Sequence, residues 1–250
     1  MGKEPSAGVR VSGFDNDYYQ PQKAVVVAPS RSGGTWLCHC LDSHYQIGCE
    51  RDEPLSPRRS FAKLNAYHGE IMNALWDRGG YRVTMFKVTY RQLGDTGPEI
   101  LQHNKVKVVH LYRRNGLRVL VSSLVNTAAV NGEIDYPLHS FEATEAQRVT
   151  VNAGALVTEI ERYLDNIELV TRQLAGLLVK ELHYEQLIGR DGGMRLDRQY
   201  ELCKFFDIIP MPMRSDMVRL NPEPLNELIA NYGDVEAVLK PTKYRWMLDG

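Results

Sequence analysis

Apolar residues in this chain gather into short unbroken runs, separated by stretches with a three- and four-residue hydrophobic period. Residues 23–28 (KAVVVA) form the first run. Its consecutive β-branched side chains suit a strand buried on both faces, as in a parallel sheet. Similar runs occupy residues 81–88 (YRVTMFKV), 105–112 (KVKVVHLY) and 177–182 (LLVKEL). Helical patterns follow the first run over 35–43 and the third from 117 to about 129, and later ones fall near 195–206 and 223–231. The clearest helical period spans 142–175, where Val149, Ala153, Leu156, Ile160, Ile167, Val170 and Leu174 recur. This alternation predicts an α/β fold, a single domain over residues 1–250 with a central, mainly parallel sheet flanked by helices. Residues 1–22 read as a loose leader, and the poorly patterned stretch 44–80 is expected to carry a substrate-facing insertion.

Composition narrows the classes. With 43% hydrophobic and 24% charged residues, the chain is ordinary globular material and neither disordered nor collagen-like. Thirty Lys and Arg against 31 Asp and Glu leave a formal net charge of −1, which excludes a general basic coat for nucleic acid. Four cysteines (Cys38, Cys40, Cys49, Cys203) are no disulfide framework and suggest a reducing compartment. The polar start has no apolar signal segment, and no run approaches the roughly 18 residues of a membrane span. A cytoplasmic location is the expectation. Cys38 and Cys40 lie about 200° apart on a helix, which argues against a shared metal ion, and none is expected.

The chemistry concentrates where strands hand over to helices. After residues 23–28 come Pro29, Ser30, Arg31, Ser32, Gly33, Gly34, Thr35 and Trp36. Glycines let the backbone approach an anion, the new helix offers unpaired N–H groups, and Arg31, Ser32 and Thr35 add a charge and hydroxyls. The loop lacks the Lys-Ser/Thr pair of a Walker A motif. A second loop, from Arg113 and Arg114 through Asn115 and Gly116, also leaves a strand and enters a helix. Arg114 at the strand end and Ser122 two turns into the helix stand eight apart, so that guanidinium and hydroxyl can grip one phosphate if the chain folds back. Arginine at a helix N-terminus opposes the dipole and calls for an anion.

At these residues the chain resembles the P-loop-like sulfotransferases, which use 3'-phosphoadenosine 5'-phosphosulfate (PAPS). Residues 29–36 are similar to that family's 5'-phosphosulfate loop, with Gly34 where many members have Thr or Ser. The resemblance implies that Arg31, Ser32, Gly33, Gly34 and Thr35 hold the 5' end, that Arg114 and Ser122 bind the 3'-phosphate, and that Trp36 and Tyr184 frame the adenine. It also implies the three-layer P-loop NTPase-like fold, PAPS as co-substrate, and a small-molecule, glycan or lipid hydroxyl (or amine) as acceptor. The His-base cytosolic branch has a His two residues after a strand-end Lys; here Lys87 is followed by Val88 and Thr89, so Lys87 remains and the His does not. The chain is more similar to branches with a carboxylate base. Glu53, in Glu53-Pro54-Leu55, matches best, with Asp52 beside it and Glu50 three residues before. Spacing alone does not choose among them. Two other readings stand beside this one: a P-loop small-molecule kinase, disfavoured by the missing Lys-Ser/Thr pair, and a non-catalytic nucleotide-binding module. His110 reads as a core residue and His183 as structural. Trp246 in the basic aromatic tail is expected to pack on the domain.

Overall fold

The computed structural model describes residues 21–50, 76, 79–134, 141, 145–189, 192–218 and 220–249. Within them five strands form one sheet: β1 (Gln22–Ala28), β2 (Ile47–Cys49), β3 (Val83–Thr89), β4 (Lys107–Tyr112) and β5 (Val179–His183). All neighbours are parallel, in the order β2-β3-β1-β4-β5. Because β1 is central, the chain runs first to one side of it and then to the other. Ligands of open parallel sheets collect at such a reversal, beyond the carboxyl ends of the strands.

The apolar run in β1 is continuous because both of its faces are covered. Ala24, Val26 and Ala28 pack with Leu37 and Leu41 of α1 (Gly34–Asp42) and with Leu202 and Phe206 of α7 (Leu196–Phe206). Val25 and Val27 face the other way, onto Phe86, Val88 and Leu101, and onto Ile167 and Val170 of α5 (Leu156–Gln173). The helices between are α2 (Tyr90–Leu93), α3 (Gly97–His103), α4 (Gly116–Val130) and α6 (Tyr184–Leu187). A third core joins Leu117 and Val121 of α4 to Leu156 and Ile160 of α5, and to the C-terminal elements α8 (Leu225–Leu228), α9 (Tyr232–Leu239) and a closing 3-10 turn (Arg245–Asp249). No helix among the described residues is long and apolar enough to cross a membrane.

Three expected elements differ. The helix expected from residue 142 begins at Leu156. Ahead of it Val149 bridges to Ile229, its N–H donating to Leu228 O at 2.9 Å and its O accepting from Ala230 N at 2.8 Å. The helix expected over 223–231 is the single turn of α8, followed by α9. Trp246 is 44% exposed rather than packed; Tyr244 and Met247 take the core positions of the tail.

Candidate functional site

β1, β3, β4 and β5 deliver their carboxyl ends to one edge of the sheet. A cavity of about 1710 Å³ opens there, bounded by the two sequence-predicted loops and by residues 188–189, 192–197, 212–218, 220 and 222. Pro29, Arg31, Gly33, Gly34, Thr35, Trp36, Lys87, Arg113, Ser122 and Tyr184 all line it.

The first loop turns sharply, with Arg31 at φ 65 and Gly33 at φ 87. Gly33 is also required by space: a Cβ there would lie 2.4 Å from Cε2 of the Tyr184 ring. Gly34 opens α1 with Lys87 at its back, where a Cβ would meet Lys87 Cδ at 2.9 Å. Lys87 is buried, and its Nζ donates to Thr35 Oγ1 at 2.7 Å, so β3 and the start of α1 present a cation and a hydroxyl together. The Ser32 side chain points inward. It is fully buried and its hydroxyl donates to Pro29 O at 2.7 Å, bracing the loop from inside rather than facing the cavity.

The helix opened by the second loop meets the first loop. Arg31 Nε donates to Ser122 Oγ at 3.0 Å, and Arg31 Nη1 to Asn126 Oδ1 at 3.2 Å. Of the paired arginines, Arg113 lines the cavity, whereas Arg114 is exposed and is not among the lining residues. The Arg113 guanidinium lies over the Tyr184 ring, 4.7 Å from its centroid, a cation–π contact worth about 0.5–1 kcal/mol at an accessible site. The N-terminus of α4 already has its anion, which is internal. The Glu185 carboxylate accepts from Asn115 N at 2.8 Å and from Arg114 N at 3.1 Å. The Asn115 side chain then caps Arg118 N at 3.0 Å. Arg118 does not add charge to the cavity. It is buried, and its Nη1 donates to the carbonyls of Asn221 (3.3 Å) and Glu223 (2.7 Å), tying the cavity wall at Leu220 and Pro222 to α4.

Beneath the loops lies a ladder of rings. Tyr90 is hydrogen-bonded to His110 Nε2 at 2.6 Å and Tyr112 to His183 Nε2 at 2.8 Å, and the His110 and Tyr112 rings pack 5.0 Å apart. Burial, reinforced by His183, pushes the His110 pKa down to about 4. His183 is also lowered, by burial first and by Arg114 second. Both histidines are therefore neutral packing partners, as their sequence setting suggested. Cys40 is likewise inert: burial raises its thiol to about 12.

Asn126, Arg113 and Glu185 were not assigned a role by motif. Asn126 has a readable signal, one turn beyond Ser122 on the same helical face. The two carboxylates carried over by resemblance, Glu53 and Asp52, lie outside the described residues. Their approach is described: Glu50 N donates to Met85 O at 2.9 Å, so the chain leaves the sheet at the end of β2, next to β3.

No protein-family model matches the chain, and no curated protein matches its sequence. Among solved structures it is similar to the sulfotransferase from Alicyclobacillus acidocaldarius, with a TM-score of 0.51 at 14% identity, covering 88% of this chain and 94% of that one. It also matches the mouse sulfotransferase SULT7A1 complexed with PAP (TM-score 0.43, 14% identity, 75% of this chain and 59% of that one). A third match is the sulfotransferase domain from the Curacin biosynthetic pathway (TM-score 0.43, 13% identity, 78% and 76%). At such identities the likeness is one of fold, and the first structure carries it: the parallel sheet flanked by helices is a P-loop-like sulfotransferase fold.

Proposed function

We propose that this chain is a sulfotransferase that moves a sulfonate from PAPS to a hydroxyl (or amine) acceptor. One observation supports the reading above the others: the first loop and the helix that the second loop opens, far apart in sequence, are joined in one cavity by the Arg31–Ser122 hydrogen bond. Arg31, Lys87 and Arg113 line that cavity with the hydroxyls of Thr35 and Ser122, a donor set suited to a ligand with phosphate at both ends. The tyrosine ring at Gly33 and the indole of Trp36 offer the apolar surfaces that a purine needs.

PAPS supplies an activated sulfonate on a phosphate leaving group. The protein's part is then positioning and charge stabilisation, as in phosphoryl transfer. Lys87, held at Thr35, faces the bridging region between sulfonate and phosphate. Arg113 takes the 3'-phosphate role that the resemblance gave to Arg114, with Ser122 as its partner. Glu53 accepts the acceptor's proton, with Asp52 as the alternative. Glu50, three residues before Glu53, donates its N–H to Met85 O, two residues before Lys87 on β3.

Adenosine 3',5'-bisphosphate should raise the melting temperature well beyond adenosine 5'-phosphate at equal concentration. Equal shifts would overturn the reading. Glu53→Gln should abolish sulfonate transfer and leave bisphosphate affinity within about twofold, since the carboxylate acts on the acceptor side. A fully active Glu53→Gln enzyme would move proton acceptance to Asp52.

A further inference from the structure

Arg31 leaves the first loop from a left-handed backbone conformation, φ 65. A non-glycine residue adopts it only against steric strain, so the turn is retained against a local penalty. Its consequence is direction: the side chain crosses to α4 instead of following its own loop. Nε reaches Ser122 Oγ at 3.0 Å and Nη1 reaches Asn126 Oδ1 at 3.2 Å. Ser122 and Asn126 stand one turn apart on a single helix face. Both acceptors are neutral, so they fix the guanidinium without cancelling its charge. Arg113 lines the same cavity as these three residues.

We propose, resting on the sulfotransferase reading, that Arg31 serves both ends of the nucleotide and that Asn126 is the positioning residue that holds it there. The loop of Arg31 cradles the 5' end while its guanidinium, set by Asn126, joins Arg113 and Ser122 at the 3'-phosphate. Preference for a 3'-phosphorylated nucleotide then depends on Asn126, a residue that need not touch the ligand.

The test turns on charge. Asn126→Ala removes the acceptor of Nη1. Asn126→Asp keeps it, preserving the bond to α4, but sets a carboxylate against the guanidinium. Calorimetric titration with adenosine 3',5'-bisphosphate should show affinity falling about tenfold for Asn126→Ala and about 100-fold for Asn126→Asp, as expected for weakened and neutralised charge-assisted contacts. Affinity for adenosine 5'-phosphate should change by less than about threefold in either variant. Without ligand, Asn126→Asp should melt no lower than the unsubstituted protein. A merely structural role predicts the reverse order, with Asp tolerated and Ala harmful, and that result would overturn the inference while leaving the sulfotransferase reading intact. If the unsubstituted protein binds both nucleotides alike, the reading itself falls and the inference with it.

Discussion

Substituting Gly33 with Ala tests the contact between the first loop and Tyr184. Two penalties add. The backbone at φ 87 is left-handed, which costs an L-residue about 1–2 kcal/mol. The new methyl would also fall 2.4 Å from Cε2 and 2.5 Å from Cδ2 of Tyr184, so the ring must move. Displacing it from under Arg113 forfeits about 0.5–1 kcal/mol of cation–π attraction, with a similar cost for repacking. The sum is about 3 kcal/mol, or about 6–12 °C in melting temperature for a chain of this size. Gly176→Ala is the control, because Gly176 shares the backbone conformation (φ 94) but has nothing within 4 Å of its Cβ position. It should cost the backbone component alone, about 1–2 kcal/mol. Thermal melts followed by circular dichroism separate the two. Equal losses would refute the argument, since the Tyr184 ring would then not occupy the space above Gly33.

Two further outcomes concern groups beneath and beside the cavity. Because burial holds His110 at about 4 against its ordinary 6.5, the unfolded chain takes up a proton before the folded one does. Stability from this residue is therefore complete above pH 6.5 and falls as the pH drops toward 4, by on the order of 3 kcal/mol; urea unfolding of His110→Gln should show a shallower loss over that interval, and parallel curves would refute it. Glu185→Ala leaves the N–H groups of Arg114 and Asn115 without their carboxylate and should lower stability by about 2–3 kcal/mol. Glu185→Gln, which retains one acceptor oxygen, should lose about half as much in the same melts, and an unchanged Ala variant would show that the cap contributes nothing.

Local pattern made much of this fold legible. Residues 23–28 read as a doubly buried strand because no polar residue interrupts the run, and Ala24 and Val25 do face opposite cores. The two loops read as one site because each leaves a strand and opens a helix, which in a parallel sheet puts both at the same edge. What failed was information that exists only in three dimensions. Val149 has helical spacing to Ala153 and Leu156, yet it lies in an extended bridge to Ile229, a partner that no periodicity announces. Arg113 and Arg114 are chemically identical neighbours, and which one enters the cavity depends on where β4 stops and how Glu185 pulls the next two N–H groups. Arg118 lies close to Arg113 and Arg114 in sequence, but only the fold brings it the carbonyls of Asn221 and Glu223. Glu185 follows Tyr184 directly in sequence, but its capping role depends on β5 lying beside β4.

The anchoring of α4 also sets an order of events for a growing chain. Asn115 Nδ2 donates to Met247 O at 2.9 Å across 132 positions, and Arg118 holds carbonyls at 221 and 223. The loops after β1 and β4 are synthesised early, but the helix that carries Ser122 and Asn126 gains these supports only once residues 221–247 follow. A parallel sheet is already rich in distant pairings and folds slowly for that reason. Completion of this cavity wall is therefore a late product of folding, acquired with residues 221–247 rather than with the sheet.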